Sequence, residues 1–308
     1  MHRFNFRLFS LLTLLFLAAC QTTPPTPNTP PVVVVPQSPP PEVVTAKPPP
    51  RPPRVGLALG GGAARGFAHI GVIQVLEEAG IQVDLVAGTS AGSVVAALYA
   101  AGNGGAALSK LADGMDESTL TDWAFPGRGL IRGEALAKYI RDHVGGKSIE
   151  QMRLPLGIVA TDLDTGAPIL FRRGAPGVAV RASSAVPAVF QPVRIGAREY
   201  VDGGLVSPVP VRFAREMGAE LVIAVDISAL PEGNATGDAM RMLLQTFSIM
   251  GRSINQFELR DADVVLTPSL AGVSSADFAS RKRSIAAGRE AALAALPALR
   301  ARILAKTR

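Results

Sequence analysis

Two successive units of strand, glycine turn and helix constrain the fold of this chain more than any other feature. Val55 to Leu59 is an apolar run typical of a buried strand, and it leads into a glycine-rich loop at residues 60–66. A helix is predicted from Phe67 to Ala79. A second strand, Val83 to Val86, leads through Gly88-Thr-Ser-Ala-Gly92 into an apolar segment with helical character. This alternation predicts a parallel α/β sheet with helices on both faces.

Further strand candidates continue the pattern towards the C-terminus. They are apolar runs at residues 156–160, 167–171 and 221–225, with a weaker one at residues 264–266. Hydrophobic residues make up 48% of the chain and charged residues 18%, which suits a globular protein with a large core and excludes an intrinsically disordered one. Residues 54–308 are predicted to form the folded domain.

The first 19 residues are predicted to be a signal peptide. Basic residues at the start precede an apolar run, Leu8 to Leu17, which is too short to span a bilayer as a mature helix. Leu17-Ala-Ala-Cys20 resembles the bacterial lipobox, in which the cysteine is lipidated and becomes the first residue of the mature protein. A plain signal peptide with a chance cysteine is the alternative.

Residues 20–53 are predicted to tether this lipidated Cys20 to the folded domain. Fourteen of the 33 residues from Gln21 to Pro53 are proline, which blocks helix and ladder hydrogen bonding and favours an extended polyproline form. At about 3.1 Å per residue, the tether could reach on the order of 100 Å. Gln21 stands where an aspartate would indicate inner-membrane retention. The resemblance therefore implies an outer-membrane anchor in a bacterial cell envelope, facing the periplasm.

The net charge of +6 comes from scattered basic residues, and the longest run of them is Arg281-Lys282-Arg283. Such a pattern fits weak attraction to anionic lipid. No aromatic residues stand between the basic ones to stack on bases, so nucleic-acid binding is not expected. Because Cys20 is the only cysteine, the folded domain is expected to have neither a disulfide nor thiol chemistry.

The glycine-rich loop has two mechanistic interpretations. One is a dinucleotide-binding turn, with Asp84 near the place of a ribose-binding acid. The strict spacing fails, because Arg65 stands where the third glycine belongs. The other is an oxyanion hole, in which backbone N–H groups at a strand-to-helix turn point at a developing negative charge.

The second glycine motif favours the oxyanion hole. Gly88-x-Ser90-x-Gly92 between a strand and a helix is the pattern of a nucleophile elbow, whose glycines permit a tight turn that exposes the serine. The conventional α/β-hydrolase triad also needs a late histidine, and none follows residue 143. Of the earlier histidines, His2 lies in the signal peptide, His69 is predicted to pack in its helix and His143 to cap a helix end.

A carboxylate is the leading option for activating Ser90. Asp202 is the best candidate, because it follows a strand-like segment and opens Asp-Gly-Gly, whose glycines leave its side chain unhindered. An Asp-Gly hairpin turn is the alternative role. Asp162, Asp164 and Asp226 also stand at or near strand ends, but a capping or turn role is favoured for them.

Three ordered motifs resemble those of the patatin-like phospholipases, particularly the bacterial members related to neuropathy target esterase. The matching segments are the oxyanion segment at residues 56–72, the elbow at residues 88–92 and the aspartate motif at residues 202–204, with further similar segments at residues 181–190, 204–211 and 275–278. The similarity covers about Val55 to Ala291. It implies a three-layer α/β/α fold with a mostly parallel central sheet, and hydrolysis of lipid acyl esters without a cofactor or metal.

Carried over by position, the resemblance implies a role for each residue. Ser90 would be the nucleophile and Asp202 the general base. The oxyanion hole would be the loop Gly61-Gly62-Ala63, mainly through the N–H groups of Gly62 and Ala63, with Arg65 steadying it. Ala63 stands where many members have another glycine. If that position requires a positive φ, the loop is strained and activity is lower.

The expected activity is hydrolysis of membrane lipids or other acyl esters through an acyl-serine, as a phospholipase, lysophospholipase or esterase. The glycine-rich region 102–133 is a candidate lid or acyl entrance. Trp123-Ala-Phe125 and an apolar-striped helix at residues 239–257 are candidates for lipid contact, although such a stripe is usually core. Two alternatives remain open: a catalytically idle lipoprotein that binds lipid or a partner, and a hydrolase of peptides or thioesters. The oligomeric state is also open.

Overall fold

The computed structural model describes residues 50–115, 120–124, 128–229 and 236–308. The predicted signal peptide, the lipidation site Cys20 and the tether up to residue 49 lie outside the described residues. So does Phe125, which belongs to one of the segments predicted to contact lipid.

The described residues contain ten strands. They are β1 Val55–Leu59, β2 Leu85–Thr89, β3 Gly129–Ile131, β4 Leu156–Asp162, β5 Pro168–Phe171, β6 Ala188–Phe190, β7 Val193–Ile195, β8 Arg198–Asp202, β9 Leu221–Val225 and β10 Val264–Leu266. Hydrogen-bonded pairs link the strands of the main sheet in the sequence β10-β9-β1-β2-β4-β8-β7, with β5 also paired to β4, and β3 pairs separately with β6. The pairs from β10 through β4 are parallel, whereas β5, β7 and β8 pair antiparallel.

Helices cover both faces of this central sheet. Those in the described residues are α1 Ala68–Glu78, α2 Ala91–Ala100, α3 Gly105–Asp113, α4 Glu134–His143, α5 Pro176–Ser183, α6 Val211–Glu216, α7 Ala239–Glu258 and α8 Arg281–Lys306. Side chains alternate across a strand. Accordingly, Leu57 and Leu59 of β1 pack in the core formed with α1, α2 and α8. Ala58 packs on the other face, with Val211 and Ala214 of α6. The predicted three-layer α/β/α fold is confirmed.

Helices α1 and α8 pack backbone against backbone at a glycine. A Cβ added to Gly288 of α8 would lie 1.9 Å from the carbonyl oxygen of Ala68, so no larger residue fits there. The close contact holds α1, and with it the end of the loop after β1, firmly against the C-terminal helix.

Three sequence-based expectations about these elements need correction. Strand β2 begins at Leu85, two residues later than predicted, because Asp84 lies just before the ladder and accepts the N–H of Val55 at 2.6 Å. The region 102–133 is not wholly irregular, since it contains α3. Helix α7 is not a core helix: its buried residues, Asn255 and Glu258, are both polar.

None of the helices in the described part of the chain is both long and apolar enough to cross a bilayer.

Candidate active site

Ser90 occupies a sharp turn between β2 and α2. Its backbone angles are φ 51° and ψ −124°, which a non-glycine residue rarely adopts and which tertiary contacts must hold in place. Gly92 permits the turn, because a Cβ there would lie 2.0 Å from the carbonyl oxygen of Leu59. Ser93 Oγ donates to the Ser90 carbonyl at 2.6 Å. The geometry is that of a nucleophile elbow.

The N–H of Ser90 donates to the hydroxyl of Ser183, at 2.8 Å. Ser183 is fully buried at the end of α5, 93 positions along the chain. Sequence reasoning missed this role, although Ser183 lies in one of the segments that carry the family resemblance. A lone serine gives no signal that it will meet a backbone amide so far away in sequence.

Strands β2 and β8 pair with the same edge of β4. Strand β5 pairs with residues 158–161 of β4, where it overlaps β2 at residues 158–159 and β8 at residues 160–161. A strand residue can have only one neighbour on each edge. Strand β5 therefore occupies one edge of β4, and β2 and β8 share the other. Thr89, the last residue of β2, pairs with Val159, and Asp202, the last residue of β8, pairs with Ala160. Because β8 runs antiparallel to β4, the carboxyl ends of β2 and β8 face each other. Ser90 and Asp202 are thereby brought together.

The Asp202 carboxylate is buried and only partly hydrogen-bonded. Its Oδ1 accepts the N–H of Gly204 at 2.6 Å. Burial raises its pKa to about 6, against the opposing effects of the Gly204 N–H and the Ser90 hydroxyl. Within the described part of the chain, its Oδ2 has no hydrogen-bond partner of regular geometry. The Ser90 hydroxyl is therefore near enough to stabilise the charge without being well aligned, as is common before substrate binds.

The loop after β1 offers two backbone donors that its own fold does not use. The N–H of Gly60 donates to Val225 and that of Gly61 to Pro208, each at 3.0 Å. The N–H of Gly61 is therefore already hydrogen-bonded, so it is not available as an oxyanion donor as predicted. Among the described residues, no hydrogen bond occupies the N–H groups of Gly62 and Ala63.

This loop lies directly over the serine and fits tightly. A Cβ added to Gly61 would lie 3.2 Å from the Ser90 Cβ and 4.0 Å from its Oγ. One added to Gly62 would lie 2.7 Å from Ile227. A side chain at Gly61 would therefore crowd the serine hydroxyl, whereas one at Gly62 would clash with Ile227.

Ala63 adopts φ 49°, in the left-handed region. The sequence predicted strain if this position, glycine in many family members, required a positive φ, and it does. An alanine in this conformation costs roughly 1–2 kcal/mol. Its side chain is exposed, so burial of the methyl group does not offset this strain.

His69 fixes the start of the loop after β1 through a hydrogen bond. The side chain is fully buried, and its Nε2 lies 2.8 Å from the carbonyl oxygen of Gly60, so that Nε2 carries the proton. Burial lowers the pKa of His69 to about 4, which keeps the ring neutral. His69 is a positioning residue as placed, consistent with the predicted packing role. Arg65 is half-buried, and burial lowers its pKa while the charge of Asp226 opposes this.

The other residues considered as the base that activates Ser90 have structural roles. Asp162 binds Arg198 at 2.7 Å and accepts the N–H groups of Asp164 and Thr165, so it organises a turn. Asp226 accepts the N–H of Ser228. His143 Nδ1 contacts the carbonyl oxygen of Tyr139 at the end of α4.

The dinucleotide interpretation fails on geometry. Asp84 binds the N–H of Val55, where β1 begins, whereas the glycine loop follows the other end of that strand. A ribose-binding acid would have to stand near the loop.

A family model for patatin-like phospholipases matches residues 57–215, a span that includes the glycine loop, Ser90 and Asp202. The chain belongs to the patatin-like phospholipase family. Curated relatives include an NTE family protein of Mycobacterium bovis, described as uncharacterized, which is 38% identical over 207 residues, 65% of this chain and 56% of that protein. Patatin-like phospholipase domain-containing protein 6 of Mus musculus is 33% identical over 231 residues, 72% of this chain and 16% of that protein.

The patatin-like chain thus spans little more than half the length, or less, of these curated relatives. Among solved structures, VipD from Legionella pneumophila matches with a TM-score of 0.57 and 16% identity, over 80% of this chain and 67% of that one. This likeness concerns the fold alone. The predicted family membership is confirmed.

Proposed function

We propose that this protein hydrolyses acyl esters of lipids, with Ser90 as the nucleophile and Asp202 as the general base. Family membership supports lipid hydrolysis in general. The observation that carries the finer proposal is the meeting of a serine on a strained elbow with a buried carboxylate at the joined ends of β2 and β8.

In the first half of the reaction, Ser90 Oγ attacks the acyl carbonyl carbon while Asp202 Oδ2 accepts the hydroxyl proton. The carbonyl oxygen becomes an oxyanion, and the free N–H groups of Gly62 and Ala63 stabilise its charge. The tetrahedral intermediate then expels the alcohol or lysolipid, which takes the proton from Asp202. An acyl-serine remains.

In the second half, water attacks the acyl-serine and Asp202 accepts a proton from it. The second oxyanion collapses, Ser90 leaves with the proton, and the fatty acid is released. A carboxylate with an ordinary pKa near 4 is a weak base for either step. The raised pKa of Asp202, about 6, brings it closer to the operating pH.

His69 and Ser183 complete the proposed machinery without touching substrate. His69 fixes the carbonyl of Gly60 and hence the loop that carries the oxyanion donors. Ser183 satisfies the amide of Ser90 and hence holds the elbow. Preorganised donors and a fixed nucleophile need no rearrangement at the moment of reaction.

We further propose that the mature protein begins at Cys20 and is lipid-anchored in the bacterial envelope, in the outer membrane facing the periplasm. Support comes from the Leu17-Ala-Ala-Cys20 sequence, from Gln21 and from the proline-rich residues that follow. Metabolic labelling with a palmitate analogue tests this, with Cys20→Ser as the control. Label retained in that variant would contradict the anchor.

The proposed chemistry is tested by ester hydrolysis with three matched variants. Ser90→Ala is expected to abolish activity and labelling by a fluorophosphonate probe, because only an activated serine reacts. Asp202→Asn is expected to lower kcat by about 10²- to 10⁴-fold, since it cannot accept the proton. Asp164→Asn, an exposed turn residue, is the control and should match wild type. Equal rates for all four proteins would refute the assignment. A wild-type protein that the probe does not label would favour a catalytically idle lipid-binding role.

A further inference from the structure

Helix α7 carries an apolar face that the rest of the described chain does not cover. The helix is 20 residues long, and Asn255 and Glu258 are its only buried residues. Four large apolar side chains are 48–65% exposed, and together they define the outer stripe: Met242, Ile249, Met250 and Phe257. They recur at i, i+7, i+8 and i+15, a spacing that places them within an arc of roughly 100°.

The hydroxyl groups within the outer stripe are satisfied inside the helix. Thr246 Oγ1 donates to the carbonyl of Met242 at 3.0 Å, and Ser253 Oγ donates to that of Ile249 at 3.2 Å. A hydroxyl bonded to the carbonyl four residues earlier offers no unpaired donor to its surroundings. The whole stripe is therefore suited to an environment that cannot accept hydrogen bonds.

The charges of α7 are basic on its exposed surface. Its exposed charged residues are Arg252 and Arg241, and Arg241 forms an ion pair at 3.2 Å with Asp238, the exposed residue that caps the start of the helix. Its one acidic residue, Glu258, is buried and accepts from Ser207 and Arg212. Basic residues beside an apolar stripe complement an anionic lipid surface.

We propose that α7 seats the protein on an anionic lipid bilayer, with the outer stripe entering the headgroup–acyl boundary. The proposal deepens the proposed function and rests on it for its purpose, which is to bring the site to its lipid. An amphipathic helix of this kind lies in the interface rather than spanning it. The internally satisfied hydroxyls and the basic flank favour lipid over a second copy of this chain.

The inner face of α7 connects the outer stripe to the loop after β1, which lies over Ser90. Asn255 Oδ1 accepts the N–H of Val209 at 3.2 Å, and Glu258 accepts the hydroxyl of Ser207 at 2.9 Å. Pro208 lies between Ser207 and Val209 in the sequence, and its carbonyl accepts the N–H of Gly61. One short segment therefore connects the helix that meets lipid with the loop above Ser90.

The test uses the proposed mature chain, residues 20–308, with Cys20→Ser and Ser90→Ala. This form lacks the predicted signal peptide, the proposed lipid anchor and any turnover. Sedimentation with vesicles of phosphatidylcholine and phosphatidylglycerol at 7:3 measures partitioning. Ile249→Glu is expected to lower the partition coefficient by about tenfold or more, because a charge replaces an inserted apolar side chain. Leu293→Glu is the matched control, since Leu293 of α8 is 51% exposed against 49% for Ile249. It should partition as the parent does.

Four outcomes separate the possibilities. Binding that is weaker to vesicles of phosphatidylcholine alone than to the mixed vesicles, and weaker at high salt, supports a contribution from the basic residues of α7. Equal partitioning of the two glutamate variants, both with unchanged unfolding midpoints, would overturn the proposal. So would a dimer in light scattering that Ile249→Glu dissociates while vesicle binding persists. Hydrolysis of a soluble short-chain ester by the Ser90 form is measured in parallel. If no ester is cleaved, the proposed function fails while the vesicle result stands.

Discussion

Thr89 and Asp202 pair with consecutive residues on one edge of β4, Val159 and Ala160. The parallel strand β2 and the antiparallel strand β8 therefore meet end to end along a single neighbour. The residue after Thr89 is Ser90, so the sheet itself sets the distance between the proposed nucleophile and base. Groups held at the ends of strands are positioned more rigidly than groups held by loops, which suits the proposed pair of nucleophile and base.

The activity should have an acidic limb set by Asp202. Burial raises the pKa of this carboxyl to about 6, and only its deprotonated form can accept the Ser90 proton. We expect kcat/KM for a soluble ester to fall about tenfold per pH unit below pH 6. His69, whose pKa is about 4, stays mostly neutral until the pH approaches 4. A rate that stays level down to pH 4 would contradict Asp202 as the base.

Ala63→Gly should stabilise the protein and preserve or raise kcat. Ala63 has φ 49°, which glycine adopts without strain, and its methyl group is exposed, so little buried surface is lost. The expected gain is about 1 kcal/mol in the free energy of unfolding, measured with urea. Ala63→Val is the opposite control and should lose both stability and kcat. A destabilised Ala63→Gly would show that the strain assignment is wrong.

Ser183→Ala should lower kcat with little change in KM. It leaves the N–H of Ser90 without its partner at a partly buried turn. A loss of about 1–3 kcal/mol in the positioning of Ser90 for the transition state corresponds to roughly 5- to 150-fold in rate. Ser184→Ala is the matched control, because the neighbouring hydroxyl is buried but has no partner among the described residues. Ser183→Thr keeps the acceptor and should recover part of the rate. Equal kcat values for both alanine variants would exclude the positioning role.

Much of the fold was predictable because its strands are short apolar runs bounded by glycine, proline or charge. Strands β1, β9 and β10 agree with the predictions residue for residue. The Ser90 and Asp202 candidates followed from turn chemistry and from the absence of a late histidine. The pairing of β2 and β8 on one edge of β4 was not predictable, since register depends on the whole sheet.

Other features depend on contacts that no local pattern encodes. Ser183 and Pro208 act on Ser90 and Gly61 through single hydrogen bonds across the fold. Helix α7 was expected to be core because its periodicity is that of a core helix. Periodicity shows that a helix has an apolar face but does not show which way the face points.

Asp202 and His69 should give the protein opposing dependences of stability on pH. The pKa of Asp202 is raised from 3.8 to about 6, so its stabilising effect is present below pH 3.8 and is lost as the pH rises through 6. The pKa of His69 is lowered from 6.5 to about 4, so its effect is present above pH 6.5 and is lost as the pH falls through 4. Displacements of this size correspond to roughly 3 kcal/mol each, so in wild type they largely cancel between pH 4 and 6.5.

Single variants should expose the two effects separately. Asp202→Asn removes a buried charge, so it should be more stable than wild type at pH 8 by a few kcal/mol at most, with the difference vanishing near pH 4. His69→Gln should lose stability at pH 8, because it disturbs a buried packing site, yet gain stability relative to wild type as the pH falls from 6.5 to 4, because the opposing titration of His69 is gone. Urea midpoints at pH 8, 6 and 4.5 measure both slopes. Parallel curves for wild type and Asp202→Asn would mean that Asp202 is not the buried titrating carboxyl that the mechanism needs.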